Sequence, residues 1–255
     1  MISDFFEIFL LSIIQGVSEF IPVSSAAHLI LASNIYEFKN QSLLIDISLH
    51  LGSLLAILFY FKDDIFNFNR NKNLFYKIII GTLPLIIFGY FLYVTNIIDY
   101  FRDIKVIAWA TLFFGILLYI ADKNKFLKKI DTDFNMKSVL IIGFFQVLAL
   151  IPGVSRAGIT ITAGRILGFD RTDSTKISFY LSIPALLGAS TLGIKDLFKE
   201  NIDFNLLVLV GVFLSFLFSL ITIKIFFKFI KNFSLNVFVI YRIFLAIILF
   251  YIIYF

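Results

Sequence analysis

The sequence predicts an all-α integral membrane protein in which six transmembrane helices and two re-entrant helix hairpins form an inverted-topology repeat. Composition is the first reason: 60% of the 255 residues are hydrophobic, 15% are charged, and the mean hydropathy is +0.97. A soluble domain is about 45–50% apolar. The other reasons are two polar, Pro-centred turns within apolar sequence and three loops rich in Lys and Arg. The lack of cysteine excludes disulfides and thiolate sites, and the net charge of +5 is too dispersed for a nucleic-acid partner.

Six apolar stretches are long enough to cross a bilayer, which takes about 20 residues. They lie at 42–61, 74–95, 104–121, 177–195, 205–226 and 237–255. Four shorter stretches are joined in pairs, with 5–20 and 23–35 on either side of Pro22 and 138–151 and 154–168 on either side of Pro152. Each pair predicts a re-entrant hairpin, because irregular backbone at membrane depth is tolerated where protein buries it or a wet cavity borders it. The alternative is one long kinked span per pair.

The basic residues predict the topology. They crowd three loops and comprise Lys62, Arg70, Lys72 and Lys77, then Lys123, Lys125, Lys128, Lys129 and Lys137, then Lys224, Lys228 and Lys231. Cytoplasmic loops carry an excess of Lys and Arg, so each half should contain a hairpin and three spans, with the second half inverted and both termini outside. We therefore expect a single polytopic domain, 1–255, with repeat one at about 1–121, repeat two at about 138–255 and a cytoplasmic link at about 122–137.

The two turns resemble each other in sequence. QGVSEFIPVSSA (Gln15–Ala26) and QVLALIPGVSRA (Gln146–Ala157) share Gln, Ile-Pro, Ser and Ala in the same order. Inverted repeats with broken helices and a site near the bilayer midplane are typical of transporter-like folds.

The turns also predict an anion site. A helix begins after each Pro, and Ser24 or Ser25 can cap one helix while Ser155 caps the other. Helix N-termini favour anions, and the planar guanidinium of Arg156 suits phosphate. Two alternatives remain: Glu19 and Arg156 only neutralise each other, and the hydroxyls of Ser24, Ser155 and Thr160 only bind their own helices.

Reactive groups accompany this site. Gln15 and Glu19 are four residues apart and share a helix face. His28 lies three residues after Ser25, and a Ser–His pair supplies an activated nucleophile or a general acid. The Glu19 carboxylate, beside a phosphate, can hold a divalent cation.

Two further predictions concern later spans. Asp46, His50 and Ser53 follow helical spacing, so Asp46 can orient His50, or either can join a metal site or proton relay. Arg242 lies near the end of the last span, where we expect it to reach the membrane interface.

The motifs QGVSEFIPVSSAAHL (15–29) and PGVSRAGIT (152–160) resemble the two signature motifs of the bacitracin-resistance type of undecaprenyl-diphosphate phosphatase. DISLHLGSLLA (46–56), SFYLSIPALLGA (178–189) and YRIFLA (241–246) resemble further blocks of that family, in the family's order. The resemblance implies an inner-membrane enzyme, with its site facing the periplasm, that hydrolyses undecaprenyl diphosphate to undecaprenyl phosphate and phosphate. That reaction recycles the lipid carrier for peptidoglycan and other cell-wall polymers and confers bacitracin resistance.

By motif position, the resemblance assigns four catalytic residues, which are Glu19, Ser25, His28 and Arg156. We expect the substrate to be bound by Gln15, Ser24, Gly153, Ser155, Thr160, Asp46 and His50. The resemblance further implies Mg or Ca, which we place at Glu19. It leaves open whether Ser25, His28 or water attacks the phosphorus.

The sequence departs from the family pattern at three positions, where Ala27, Ala157 and Ala246 replace the usual Gly, Ser and Gly. Ala157 removes one hydroxyl from the expected phosphate site, which predicts a weaker grip on phosphate. The lipid diphosphate and the bilayer are the expected partners, and a homodimer is also considered. A flippase for polyprenyl phosphate is the rival function, because the same anion site would serve it.

Overall fold

The computed structural model describes residues 2–36, 43–123, 128–200 and 206–255. These ranges contain twelve α-helices and no β-sheet. The helices are α1 (Ile2–Ser18), α2 (Ser25–Tyr36), α3 (Leu43–Tyr60), α4 (Lys62–Phe66), α5 (Phe68–Val94), α6 (Ile104–Asp122), α7 (Ile130–Asp133), α8 (Met136–Val147), α9 (Arg156–Ile166), α10 (Arg171–Glu200), α11 (Leu206–Asn232) and α12 (Asn236–Tyr254). The all-α prediction is therefore confirmed for the described part of the chain.

Four of these helices are long and apolar enough to cross a membrane. The spans are Asn71–Val94 in α5, Ile104–Asp122 in α6, Leu206–Asn232 in α11 and Asn236–Tyr254 in α12. Large apolar side chains such as Phe113, Phe213 and Ile240 are exposed on them, as expected where lipid replaces water around the protein. The membrane character predicted from composition is thus supported.

Several helices extend beyond the predicted spans. Helix α11 continues to Asn232, six residues past the predicted end, and α10 begins at Arg171 and runs to Glu200. The last turns of α11 carry Lys224 and Lys228, both exposed. An α-helix continues readily into polar surroundings, where long Lys side chains extend to the interface. Hydropathy therefore marks the apolar part of a helix and misses its polar end.

Both Pro-centred turns interrupt the helices where the sequence predicts. Helix α1 ends at Ser18 and α2 begins at Ser25. In the second case α8 is followed by a short 3-10 turn at Leu148–Leu150, and α9 begins at Arg156. The two helices of each pair contact each other.

The helices pack in matching combinations across the two halves of the chain. Helix α1 packs against α11 and α8 against α5, while α3 packs against α10 and α6 against α12. Glycines permit the closest approaches: a Cβ on Gly16 would lie 2.5 Å from Cβ of Phe218, and one on Gly143 would overlap the carbonyl oxygen of Gly81. Small residues at such crossings are typical of helix packing in membranes. These crossings bring the two turns to one region between α3, α6 and α10.

A buried charge cluster around Asp122 joins α6, α9, α10 and the turn before α12. The Asp122 carboxylate, at the end of α6, accepts two hydrogen bonds from Arg171, at 2.8 and 2.9 Å, and one from the Leu235 backbone N–H at 3.0 Å. Arg165 of α9 forms an ion pair with the same carboxylate. The cluster fixes the ends of α9 and α10 and the turn before α12 to the end of α6.

The predicted link at 122–137 packs beside this cluster. Lys129 pairs with Asp170, and the Ile130 backbone N–H donates to Asp173. Residues 124–127 of the link lie outside the described residues.

Candidate active site

Two serines in the left-handed region of backbone space form the two turns. Ser24 has φ +80° and Ser155 has φ +68°, a conformation that is uncommon and costly for residues with a side chain. Each precedes a helix start. The Oγ of Ser155 accepts from the Gly158 N–H at 3.1 Å, and the Oγ of Ser24 accepts from the Ala27 N–H at 3.4 Å. The predicted capping of both helices by serine is confirmed, with Ser24 as the cap of α2.

A hydrogen bond joins the two turns. The Gly153 N–H donates to the Oγ of Ser24 at 3.2 Å. Gly153 itself has φ +95°, and a Cβ there would lie 2.6 Å from the carbonyl oxygen of Ile107 on α6. Glycine is required at this position because a side chain would be strained and would collide with α6.

The Glu19 carboxylate lies at the centre of the polar contacts. Its Oε1 accepts from Nη2 of Arg156 at 2.8 Å. Its Oε2 accepts from Nε2 of Gln15 at 2.9 Å and from Oγ of Ser25 at 2.8 Å. The predicted shared face of Gln15 and Glu19 is confirmed, and the ion pair with Arg156 that the sequence left as an alternative is formed.

His28 makes different contacts from those its spacing predicts. Its Nδ1 lies 2.6 Å from the carbonyl oxygen of Ser24, and its Nε2 lies 2.5 Å from Oη of Tyr241 on α12. The hydroxyl of Ser25 donates to Glu19 instead. The hydroxyl of Ser25 therefore pairs with a carboxylate and not with the imidazole, which contacts the main chain of Ser24 instead.

A cavity of about 230 Å³ lies between the turns. Six of the predicted site residues line it, namely Glu19, Ser24, Ser25, His50, Ser155 and Arg156. Apolar side chains from α5 and α10, including Leu85, Leu186 and Ala189, close its other walls. The cavity therefore combines a cation, a carboxylate and hydroxyls with an apolar border.

The remaining predicted residues lie outside the cavity wall. Thr160 is fully buried, and its hydroxyl donates to the Arg156 carbonyl oxygen at 2.8 Å and contacts Oγ of Ser178 at 2.7 Å. Those contacts attach α9 to α10. Gln15, Gly153, His28 and Asp46 likewise support lining residues without lining the cavity themselves.

His50 reaches the cavity from α3. The observed hydrogen bond to its Nδ1 involves the carbonyl oxygen of Asp46, at 2.8 Å. A carbonyl oxygen only accepts, so Nδ1 carries a hydrogen. The main-chain carbonyl of Asp46 thus orients the His50 ring, while the predicted role of the Asp46 carboxylate stays a prediction.

The prediction for Arg242 is wrong. This side chain is fully buried instead of reaching the interface. It donates to the carbonyl oxygens of Gly153 at 2.8 Å, Val154 at 3.1 Å and Thr111 at 3.1 Å. A buried charge is expensive unless it is fully hydrogen-bonded. The main-chain carbonyl groups of the buried second turn provide that bonding, and Arg242 thereby fixes the turn to α6 and α12.

The donor set at the cavity limits how a cation can be held. Among the described residues, no group of three His, Asp or Glu side chains converges to form a metal site. Glu19 is the carboxylate that the cavity lining provides. Mg²⁺ is commonly bound by one or two carboxylates together with substrate phosphates. The residues therefore fit a cation shared with a phosphorylated ligand.

The site also depends on residues that sequence reasoning did not assign to it, above all Tyr241 and Arg242. They are adjacent on α12, and the block YRIFLA that contains them was the available signal. Taken together, the geometry can bind a phosphate group through Arg156 and the N-termini of α2 and α9 and can move a proton from Ser25 to Glu19.

Comparison with known proteins agrees with this chemistry. The profile of the family described as Bacitracin resistance protein BacA matches residues 8–248. A protein of Pelagibacter ubique (strain HTCC1062) named Undecaprenyl-diphosphatase is 55% identical over 255 residues, which is 100% of each chain. Proteins of the same name from Campylobacter curvus (strain 525.92) and Jannaschia sp. (strain CCS1) are 38% and 36% identical, over 98% and 96% of this chain and 99% and 97% of theirs. This chain belongs to the family of the bacitracin resistance protein BacA.

Proposed function

We propose that this protein hydrolyses undecaprenyl diphosphate to undecaprenyl phosphate and inorganic phosphate. The names of its relatives give the reaction. The observation that carries the proposal is the contact of Arg156, Glu19 and Ser25 within one cavity at the starts of α2 and α9. Through this reaction the protein recycles the lipid carrier for cell-wall polymers and confers resistance to bacitracin.

Binding of the diphosphate rests on Arg156 and the two helix N-termini. The guanidinium, now paired with Glu19 Oε1, turns to the diphosphate, whose charge is greater. The free N–H groups at the first turns of α2 and α9 donate to the remaining phosphate oxygens. The cavity of about 230 Å³ holds the headgroup, so the long prenyl tail lies outside it, along the apolar surfaces of the helices.

Ser25 attacks the terminal phosphorus. Its Oγ, 2.8 Å from Glu19 Oε2, gives its proton to that carboxylate and forms an Oγ–P bond, while the bond from phosphorus to the bridging oxygen breaks. Undecaprenyl phosphate leaves with that oxygen and its electron pair. Arg156 stabilises the negative charge on the phosphoryl oxygens, which is the main task in phosphoryl transfer.

Water completes the cycle. Glu19 first releases the proton taken from Ser25 to solvent and then deprotonates the attacking water. Glu19 passes the proton taken from that water to Ser25 Oγ as the Oγ–P bond breaks, and phosphate is released. One carboxylate thereby serves both steps, because it already contacts the nucleophile.

A divalent cation, Mg²⁺ or Ca²⁺, would be held by Glu19 together with the diphosphate oxygens. When bound, it offsets charge on the diphosphate. Glu19 has two oxygens, so Oε2 can keep its hydrogen bond with Ser25 while Oε1 exchanges Arg156 for the cation.

For the membrane arrangement, we propose six spans and two re-entrant hairpins in a single polytopic domain. Repeat one covers about 1–121, repeat two about 138–255, and the link at 122–137 is cytoplasmic. The matching packing of α1 on α11 and α8 on α5 supports this, as do the basic loops. The inner membrane, with the cavity facing the periplasm, is the corresponding location.

Phosphate release from undecaprenyl diphosphate tests the function. Purified protein in detergent is assayed with Mg²⁺ or Ca²⁺ and then with chelator, beside Arg156→Ala and the control Arg102→Ala, an exposed arginine after α5. We expect release that requires the cation, survives in the control and falls by at least about a hundredfold in Arg156→Ala. Lipid binding without release by the unsubstituted protein would contradict hydrolysis and favour the flippase.

A further inference from the structure

Both ring nitrogens of His28 have a partner. Nδ1 faces the carbonyl oxygen of Ser24 at 2.6 Å, and Nε2 faces the hydroxyl of Tyr241 at 2.5 Å. The two rings stack nearly parallel, 5.6 Å apart between centroids and 9° between planes. The position and rotation of the imidazole are therefore set by α12 as well as by its own helix.

The Ser24 contact determines the protonation pattern. A carbonyl oxygen cannot donate, so the hydrogen lies on Nδ1. In the neutral ring Nε2 then has a free lone pair, and the Tyr241 hydroxyl donates to it. The tautomer of His28 is thus set by hydrogen bonds at both nitrogens, as is common where a His orientation matters.

The effect extends from His28 to the first turn. The carbonyl that receives the Nδ1–H belongs to Ser24, the residue with φ +80°. Such strained residues persist only where surrounding contacts hold them. Ser24 Oγ in turn accepts the Gly153 N–H and lines the cavity. A continuous series of hydrogen bonds therefore runs from Tyr241 through His28 and Ser24 to Gly153.

The neighbour of Tyr241 acts on the other turn. Arg242 donates to the carbonyl oxygens of Gly153 and Val154. Two adjacent residues of α12 hence contact both turns, one through His28 and one directly. A shift of α12 would move both walls of the cavity together.

We propose that Tyr241 is a positioning residue of the active site: its hydroxyl holds the His28 ring, and through that ring the Ser24 turn, in the geometry that turnover requires. The inference rests on the proposed function, because it assigns Tyr241 to the same hydrolysis. Tyr241 does not line the cavity, and Arg156 is held by Glu19 and Ser178, outside the series from Tyr241 to Gly153, so the substitution should act on the rate of turnover more than on binding.

The test is Tyr241→Phe, which removes one oxygen and keeps the stacked ring. The control is Tyr251→Phe on the same helix, an exposed residue whose ring contacts Phe255. We expect kcat for phosphate release to fall by about ten- to a hundredfold, since displacement of catalytic groups by an ångström has effects of that size. KM should stay within about twofold. In a His28→Ala background the same substitution should have little further effect, because the partner is gone.

A second readout does not depend on activity. The chain has two histidines, His28 and His50, so ¹⁵N-histidine labelling gives two imidazole spin systems, and His50→Gln assigns them. Tyr241→Phe should shift the Nε2 resonance of His28 and leave that of His50 in place. An unchanged His28 resonance, or an unchanged kcat, would overturn the proposal. If the unsubstituted protein releases no phosphate, the proposed function fails, and a shifted resonance would still establish the contact.

Discussion

Replacement of Asp122 by Asn removes the negative charge that Arg165 and Arg171 share at the end of α6. The Asp122 and Arg165 side chains are 2% and 6% exposed, so solvent cannot replace the lost partner. Breaking a buried ion pair on one side costs about 3–5 kcal/mol. The loss of the pair with Arg171 adds less to this cost, because the Arg171 side chain is 33% exposed and water can rehydrate it. We expect Asp122→Asn to lower the free energy of unfolding by about 3–5 kcal/mol.

The measurement is thermal unfolding of the purified protein in detergent. For a chain of this size, each kcal/mol corresponds to about 2–4 °C, so the melting temperature should fall by about 6–20 °C. Asp103→Asn, at the other end of α6, is the matched control: Asp103 caps the helix by accepting from the Lys105 N–H, and Asn caps equally well. An Asp122→Asn variant that melts within about 2 °C of the unsubstituted protein would refute the argument. The kcat of the Asp122→Asn variant per folded molecule should not change, because the charge cluster around Asp122 does not line the cavity.

Two further predictions concern packing and the second turn. Gly143→Ala should reduce the yield of folded protein and its melting temperature, because the new methyl group overlaps the carbonyl oxygen of Gly81. Gly188→Ala is the control and should be tolerated, since the nearest atom would be 4.0 Å away. Equal melting temperatures for the two variants would contradict this argument. Arg242→Gln leaves the carbonyls of the second turn without their cation, so phosphate release should fall by at least about tenfold, and a rate within twofold of the unsubstituted protein would show that the turn holds without it.

The sequence predicted the all-α membrane character and the positions of the two turns because these signals are local. Apolar stretches mark candidate spans by length, four of which the described helices provide, and Pro22 and Pro152 mark the interruptions. The serine caps follow from helix starts, and the contact between Gln15 and Glu19 follows from their spacing of four residues. Each of these depends on residues close together in the chain.

The errors concern contacts between distant parts of the chain. Ser25 begins α2, and its hydroxyl reaches back to Glu19 in the turn, whereas His28 lies one helical turn later and meets Tyr241, 213 residues away. Helical spacing shows which residues share a face and not which neighbour that face meets. Arg242 was misjudged for the same reason, because the carbonyls that it needs belong to a turn 89 residues earlier.

These contacts assign different tasks to Glu19 and His28. Glu19 touches Ser25 and Arg156, so in the proposed mechanism it is placed to transfer protons and to respond when Arg156 turns to the diphosphate. His28 supports the strained Ser24 and acts through it.

Attack by Ser25 is the central step of the proposed mechanism, and one experiment tests it directly. Ser25→Ala is compared with the unsubstituted protein and with Ser234→Ala, a serine in the turn between α11 and α12 that does not line the cavity. The measurements are binding of undecaprenyl diphosphate, release of phosphate, and ³²P retained on protein after rapid acid quench of labelled substrate. We expect Ser25→Ala to bind the lipid within about threefold of normal, to release phosphate at least about a thousandfold more slowly, and to retain no label, while the other two proteins retain it on Ser25. Phosphate release by Ser25→Ala at a rate close to that of Ser234→Ala would contradict the mechanism and leave water or His28 as the nucleophile.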